Sequence, residues 1–482
     1  MTRAKKADIV FHATITDENF SIDNILCRAY LPLKLTDPIE LHFQPNNEQS
    51  IVLWRSTFWR YSVKGEVRGY ENRLEETISA NKVISSGSTR LAHSSDLSET
   101  LMIGEPTDLK VVHILHGHPE TNKVKGIFWI TPNQMLEPAC SVVNSSIGDR
   151  EIKIIKQFKF TPDAKTIFNF ERHYRYYKNE DDDDVSFSEL VATFEIEGAN
   201  NDSHRIPEML SKLDDVLLLA SFAAMRRCVC LGWESYDAKT LVKQFLRNKT
   251  IPDTTNSKRF RTGNEIIDLA HFEDFIKTAY SNFLSYSEVA ALRRAINFVI
   301  PSGRETIDGG FMVTYSALEM LVLHFRRKQG LEFIFPKNRF EKHIRKSLKE
   351  HIEQLNLPDL DADRKQMMKD KLSELNRVSF ATAFNDFCNH YSVNLADLWS
   401  VTGDGEGVSL SQLRNKLVHG EHFDSRHYGA LIYAKEHLQW TIQRMILGIL
   451  GWSVDRSNVS PDRLGIMYAY QRWRDDQKAL SE

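Results

Sequence analysis

The sequence predicts an α+β fold, with a β-rich N-terminal domain over residues 1–205 and a helical region over residues 206–482. Short segments rich in β-branched and aromatic residues run as far as residue 205. Long helical patterns replace them after that point. A chain of 482 residues is long enough for two or three domains with sizeable cores. We find no internal repeat, and the change of pattern at residue 205 predicts two separate parts.

The N-terminal domain is predicted from its strand-like segments. Ile9–Thr16 alternates apolar and polar residues, as expected of a first strand. Ile51–Trp54, Lys110–Leu115 and Lys125–Thr131 have a similar composition, and Asn, Gly, Ser and Pro separate such segments. These features predict an antiparallel sheet domain that is sandwich or barrel-like.

The helical region is predicted from three long patterns. The first begins at Pro207, the second covers Val313–His324, and the third covers Ser425–Trp452 as one long helix. The polar stretch from Asn248 to Lys258 reads as a loop. We expect the core of the helical bundle at about residues 305–455.

A short segment near the C-terminus, Leu410–Gly420, concentrates the residues with chemical potential. Helical geometry at about 100° per residue places Asn415 and His419 on one face, with Arg414 beside them. Gly420 directly after the histidine is a helix terminator, and the glycine-rich Thr402–Gly407 reads as a flexible lead into the helix. The opposite face is predicted to be anchored by three leucines: Leu410, Leu413 and Leu417.

An arginine and a histidine at this spacing also occur by chance on surface helices. Arg345 and His351 in this same chain are an example, because nothing around them suggests chemistry. The segment at 410–420 differs from that pair in three respects: an Asn follows the arginine, leucines lie in phase behind it, and a Gly follows the histidine.

Charge and hydropathy limit the classes of protein to consider. The net charge of −3 argues against a general nucleic-acid coat but allows a local basic cleft. The longest apolar run, Val216–Met225, is far shorter than the roughly 20 residues of a membrane span. The N-terminus lacks the apolar core of a signal peptide. We therefore expect a soluble protein with no membrane partner.

The cysteines predict neither disulfides nor a metal site. Five cysteines with no framework spacing favour a reducing compartment, so we expect a cytoplasmic protein. Cys228-Val-Cys230 has no second pair to complete a zinc site, and we interpret it as two small residues in a buried helix. No metal and no cofactor are predicted.

The segment Arg414-Asn-Lys-Leu-Val-His419 resembles the signature of HEPN ribonucleases, an arginine followed by a polar residue and then a histidine. Val313–His324 resembles the helix that packs across from this motif in the family's antiparallel bundle. A β-rich N-terminal half joined to such a bundle resembles the ApeA type of bacterial abortive-infection, or anti-phage, protein. One HEPN subgroup has a tyrosine two positions after the histidine, where this chain has Glu421, so regulation through that tyrosine is not implied.

The resemblance implies a metal-independent endoribonuclease that acts as a homodimer. Arg414, Asn415 and His419 would be its catalytic residues, with Glu319 as a partner of Arg414 from the facing helix. The substrate would be RNA, with tRNA loops as an expected target. The N-terminal domain would sense a phage-derived trigger or regulate the nuclease. Apart from the resemblance, Lys416, His422 and Arg426 flank the motif, and they either bind RNA or are simply exposed.

Two alternatives remain at the level of sequence. The first is a non-catalytic HEPN module for dimerisation or ligand sensing, with the β domain as the binding element. The second is a DNA-directed nuclease, which is disfavoured because no metal-binding carboxylate cluster is evident and the proposed chemistry needs a 2′-hydroxyl.

Overall fold

The computed structural model describes residues 9–18, 20–32, 36–45, 49, 60–90, 100–116, 123–144, 150–178, 184–197, 205–247, 265–301, 306–403, 407–421 and 423–480. The segment Ile51–Trp54 lies outside them. The chain forms two compact units, Met1–Thr262 and Gly263–Glu482. The first is built on a β-sheet and the second on helices.

The strands that the structure describes all belong to the first unit. They are β1 Ile9–Thr16, β2 Ser21–Tyr30, β3 Glu40–Gln44, β4 Arg60–Arg68, β5 Leu74–Arg90, β6 Thr100–Glu105, β7 Asp108–Ile114, β8 Lys123–Ile130, β9 Ala139–Asn144, β10 Arg150–Lys156, β11 Lys159–Asp163, β12 Thr166–Lys178, β13 Asp184–Glu197, β14 Cys230–Tyr236 and β15 Thr240–Leu246. Helix α1, Arg205–Ala224, lies between β13 and β14.

Thirteen strands form one antiparallel sheet in the order β11-β12-β13-β8-β14-β15-β7-β5-β4-β1-β2-β3-β6. Strand β6 also pairs with β5, so β1, β2, β3, β6, β5 and β4 form a closed ring. Strands β9 and β10 pair separately. This sheet, together with the helices of the second unit, confirms the α+β class.

The ring encloses a hydrophobic core because its strands alternate in burial. Along β1, Ile9, Phe11, Ala13 and Ile15 are buried, and the residues between them are exposed or half-buried. Gly104 lies where β6 closes the ring, and a Cβ there would come within 2.6 Å of a Val83 methyl carbon. Further members of the core, from neighbouring ring strands, are Ile25, Cys27, Ala29, Leu41, Phe43, Val63 and Ala80.

The first unit extends beyond the boundary at residues 205 and 206 that the sequence predicts. After α1 the chain returns to the sheet, where β14 pairs with β8 and β15 pairs with β7. Lys212 on α1 also forms a 2.8 Å ion pair with Asp163 at the end of β11. The apolar pattern of α1 resembles the start of a helical region, but the contacts place the division between Thr262 and Gly263.

The pair Cys228 and Cys230 is buried, but it does not lie in a helix as predicted. Helix α1 ends at Ala224, Met225 has a φ of +47°, and β14 begins at Cys230. Cys228 donates its thiol hydrogen to the Thr131 carbonyl at 3.4 Å. Burial raises the pKa of the Cys228 thiol to about 12.

The second unit is helical. Its helices are α2 Phe272–Ser285, α3 Val289–Val299, α4 Ile307–Lys328, α5 Lys337–Arg339, α6 Lys346–Gln354, α7 Ala362–Lys371, α8 Phe380–His390, α9 Leu410–Val418, α10 Tyr428–Ile449, α11 Pro461–Leu464 and α12 Tyr468–Ala479. A π-helical turn, Phe340–Arg345, joins α5 to α6. The predicted helix at Val313–His324 is confirmed within α4, and most of Ser425–Trp452 is α10.

Helices α4 and α10 are central to this unit. Helix α4 contacts α3, α8, α9 and α10, and α10 also contacts α3 and α12. The second half of α10 is buried on nearly all sides. Within it the Arg444 guanidinium is fully buried and forms bonds of 2.6 and 2.7 Å to the two Asp397 oxygens. Among the described residues, no helix has the length and hydropathy that a membrane crossing requires.

Candidate functional site

Helix α9 carries the motif and has a defined signal at each end. Ser409 caps its first turn, and Gln412 completes a capping box with the Ser409 backbone. At the other end the Glu421 N–H donates to the Lys416 carbonyl, and the Gly420 N–H donates to the Leu417 carbonyl. This is a Schellman motif, and Gly420 at a φ of +77° supplies the left-handed residue that it needs. His419 is therefore the last residue before the helix stops.

Contacts behind α9 fix the helix to the bundle. Leu410 and Leu413 are fully buried, whereas Leu417, the third predicted anchor, is only half-buried. Ser411 donates to the Val401 carbonyl at 2.7 Å and accepts from the Tyr315 hydroxyl at 2.7 Å. Since Tyr315 lies on α4, this chain of hydrogen bonds joins α9 to α4.

The residues just before α9 are held by the far C-terminal part of the chain. The Trp399 indole N–H donates to the Val408 carbonyl at 2.7 Å, and the Gln477 amide donates to the same oxygen at 3.2 Å. His437 on α10 accepts the Trp399 backbone N–H at 3.1 Å. The expected flexible lead, Thr402–Gly407, falls partly outside the described residues, but the Val408 carbonyl after it is held by two donors.

Arg414 is positioned by three neighbours. Its guanidinium lies 3.3 Å from a Glu319 carboxylate oxygen and donates to the Asn415 side-chain oxygen at 3.1 Å. It also lies over the Tyr315 ring, with Cζ 5.9 Å from the ring centroid. The side chain remains about a third exposed. Helices α4 and α9 thus face each other, with Glu319 of α4 beside Arg414 of α9.

Tyr315 was not expected at this site. Burial raises the pKa of its phenol, the Glu319 carboxylate raises it further, and the Ser411 hydrogen bond and Arg414 oppose them. Tyr315 therefore stays protonated at neutral pH and supports Arg414 with its ring. Tyr315 and Ser411 are far apart in the sequence, so no local pattern indicates their contact.

Asn415 and His419 lie one turn apart at the exposed end of α9. The His419 backbone N–H donates to the Asn415 carbonyl at 2.9 Å, and both side chains are exposed. The Asn415 side-chain oxygen accepts from Arg414, which leaves its amide nitrogen as a hydrogen-bond donor. Within the described part of the chain, the His419 imidazole makes no hydrogen bond or ion pair, so a ligand has access to it.

The flanking cations expected to bind RNA have acidic neighbours. Lys416 lies 3.6 Å from a Glu421 carboxylate oxygen. Arg426 is exposed and donates from Nε and Nη2 to one Asp424 oxygen at 2.9 and 2.6 Å. The Arg426 hydrogen bonds lower the pKa of Asp424. His422 lies outside the described residues.

The arrangement combines a fixed cation, an amide donor and an imidazole on one solvent-facing helix end. Such a set can hold an anionic group at Arg414 and Asn415 while the imidazole exchanges a proton with it. Among the residues that the structure describes, no group of three His, Cys, Asp or Glu side chains is placed to hold a metal ion.

Comparison with known proteins adds no relative. No protein-family model matches the chain, and no curated protein or solved structure gives a significant match.

Proposed function

We propose that this chain is a metal-independent endoribonuclease, with Arg414, Asn415 and His419 as its catalytic residues. The observation that carries the proposal is the end of α9, where Glu319 and Asn415 hold Arg414, and where the exposed His419 follows Asn415 by one turn. A fixed guanidinium is suited to a phosphate because its planar donors need little reorganisation. The resemblance of this segment to the HEPN signature supports the same assignment.

The reaction is an internal transfer of the RNA phosphate. The ribose 2′-oxygen attacks the adjacent phosphorus, its proton passes to an imidazole, and the bond from phosphorus to the 5′-oxygen breaks. A protonated imidazole supplies the proton to that leaving oxygen. The products carry a 2′,3′-cyclic phosphate and a 5′-hydroxyl. Arg414 stabilises the charge on the phosphoryl oxygens, and the Asn415 amide donates a hydrogen bond to one of them.

The two proton transfers favour a homodimer, because one His419 cannot readily serve both oxygens. A second copy of α9 across a two-fold axis would supply the other imidazole. Large apolar side chains near the motif support such an interface, since Val418, Tyr428 and Ile432 are 52%, 49% and 40% exposed. Tyr428 and Ile432 are one turn apart on α10 and share a face.

The biological setting follows from the two-part architecture. The resemblance to ApeA-type proteins supports a cytoplasmic toxin of an anti-phage abortive-infection system. In this account the sheet unit detects a phage-derived trigger and restrains the nuclease until it binds. Loops of tRNA are the proposed substrate because they expose unstacked bases and flexible phosphates.

One observation favours a second candidate, a non-catalytic module for dimerisation or ligand sensing. The Arg414 guanidinium already has a carboxylate partner in Glu319, as a purely structural arginine would have. A sensing module would also use exposed apolar side chains for its partner. The two candidates differ in whether His419 is needed for a chemical reaction.

The test is cleavage of RNA by the purified full-length protein in the presence of EDTA. We expect cyclic-phosphate ends, and a loss of at least about a hundredfold in rate for His419→Ala. His351→Ala is the matched control because that histidine is also exposed on a helix of the same unit, and it should cleave like wild type. Cleavage that requires added Mg²⁺, or that survives His419→Ala, would count against the proposal.

A further inference from the structure

A strongly basic segment follows α4. Residues 326–349 contain nine Lys or Arg and two Glu, in a chain whose net charge is −3. The segment includes the last turn of α4, the connecting stretch at 333–335, and the helical turns from α5 into α6. Positive charge is therefore concentrated on one part of the second unit.

Hydrogen bonds to residues 376 and 377 anchor the connecting stretch at 333–335. Phe333 pairs with Arg377 as an antiparallel bridge. The buried Asn376 side chain accepts from the Phe335 N–H at 2.9 Å and donates to the Phe335 carbonyl at 3.0 Å. The Ile334 N–H also donates to the Asn376 carbonyl at 2.8 Å. The backbone that presents these side chains is fixed before any ligand arrives.

Aromatic rings and cations lie together on this frame. Phe333 and Phe335 are 41% and 38% exposed, and Ile334 between them is also exposed. Arg377 lies directly across from Phe333 in the bridge, so the cation and the ring belong to the same part of the surface. Lys337 and Arg339 follow within four residues of Phe335, and both are exposed.

These cations are available to a ligand. Within the described residues, Lys337, Arg339 and Arg377 form no ion pair, whereas Arg327 and Arg345 each lie beside a glutamate. Exposed rings next to unneutralised cations match the two needs of single-stranded nucleic acid, which are stacking of bases and pairing of phosphates.

We propose that Phe333, Phe335, Lys337, Arg339 and Arg377, here called the aromatic platform, bind single-stranded RNA. The rings stack on bases, and the three cations contact the backbone phosphates. An anionic membrane is the less fitting partner, because surface-bound helices insert a continuous apolar face. Here the exposed rings lie outside the helices, between α4 and α5, and Ile352 on the adjacent α6 is buried within the unit.

Helix α4 joins the aromatic platform to the catalytic residues. Glu319, which contacts Arg414, lies nine residues before Lys328, the last residue of α4. Nine residues span about 14 Å along a helix axis. The choice of RNA as the polyanion rests on the proposed function, and the aromatic platform would hold the strand whose phosphate enters that site.

The experiment measures affinity of the full-length His419→Ala protein for a fluorescent single-stranded RNA oligonucleotide over a range of salt. Neutralising Lys337, Arg339 and Arg377 to Gln should weaken binding and reduce the salt slope by about two. Phe333→Ala with Phe335→Ala should weaken binding by at least about tenfold with little change in that slope. The matched control neutralises three exposed lysines of the first unit, Lys82, Lys159 and Lys165, and should bind like the parent.

Unchanged RNA affinity in both platform variants would overturn the proposal. So would loss of binding to phosphatidylserine vesicles with RNA affinity intact, since that result assigns the surface to membranes. The outcome is separable from that of the proposed function. RNA binding through the platform without any cleavage by wild type leaves the platform standing and removes the nuclease. Cleavage that depends on His419, with RNA affinity independent of the platform, would leave the nuclease standing and remove the platform.

Discussion

Arg414 is the residue on which the site depends most. Its contacts with Glu319, Asn415 and the Tyr315 ring fix the plane of the guanidinium. Lysine has the same charge but lacks the fork, so it cannot bond to Asn415 and a phosphate in the same geometry. Replacing Arg414 with lysine therefore tests whether the orientation of the cation, and not its charge alone, determines the rate of RNA cleavage.

We predict that Arg414→Lys lowers the rate of RNA cleavage by about 10²–10³, the range seen when one donor to a developing oxyanion is lost. Folding should be nearly unchanged because the side chain is partly exposed. Arg345→Lys is the control, since Arg345 also pairs with a glutamate, Glu341 in its own helical turn, and this variant should cleave normally. Equal rates for wild type and Arg414→Lys, measured in single-turnover assays, would show that the fork has no role.

Among the secondary-structure elements, the position of α9 depends on the contacts that hold the residues at its start. Trp399 and Gln477 both donate to Val408, and His437 accepts the Trp399 backbone N–H. The His437 Nδ1 must therefore be unprotonated, and its Nε2 contacts the Ala469 carbonyl at 3.3 Å. Burial lowers the pKa of His437 from 6.5 to about 4.

A pH dependence follows from this shift. Because the pKa of His437 is lower in the folded state, its contribution to stability is complete above pH 6.5 and is lost as the pH falls towards about 4. The full loss is about 3 kcal/mol. Hydrogen exchange of the α9 amides should show protection falling over this range in wild type. His437→Gln, which can still accept the Trp399 N–H, should show a smaller fall, and an identical fall would refute the assignment.

The sequence predicted some elements well and others poorly, for physical reasons. Helices α4, α9 and α10 have long apolar periodicity or clear end signals, so local pattern was enough. Strands β14 and β15 were missed because they follow a long helix, and because β14 is buried on both faces and has no alternation. The supports of the site, Tyr315 and Trp399, act through contacts between distant residues, which no local pattern encodes.

For the molecule as a whole, the proposed mechanism requires two copies of the chain to form one active site. We predict that a mixed dimer of wild type and His419→Ala, purified by two different tags, has far less than half the activity of the wild-type dimer. The mixed dimer keeps one His419 imidazole, so the general base and the general acid of the reaction are not both present. A mixed dimer with His351→Ala should be fully active. Half activity in the first mixture would mean that each copy acts alone.

The most direct measurement is induced expression of wild type and His419→Ala in bacteria, with and without phage, followed by sequencing of new ends in total RNA. We expect new cyclic-phosphate ends in wild type only, together with loss of phage protection in His419→Ala. Identical RNA from both proteins, with protection intact in both, would contradict a catalytic role for the end of α9.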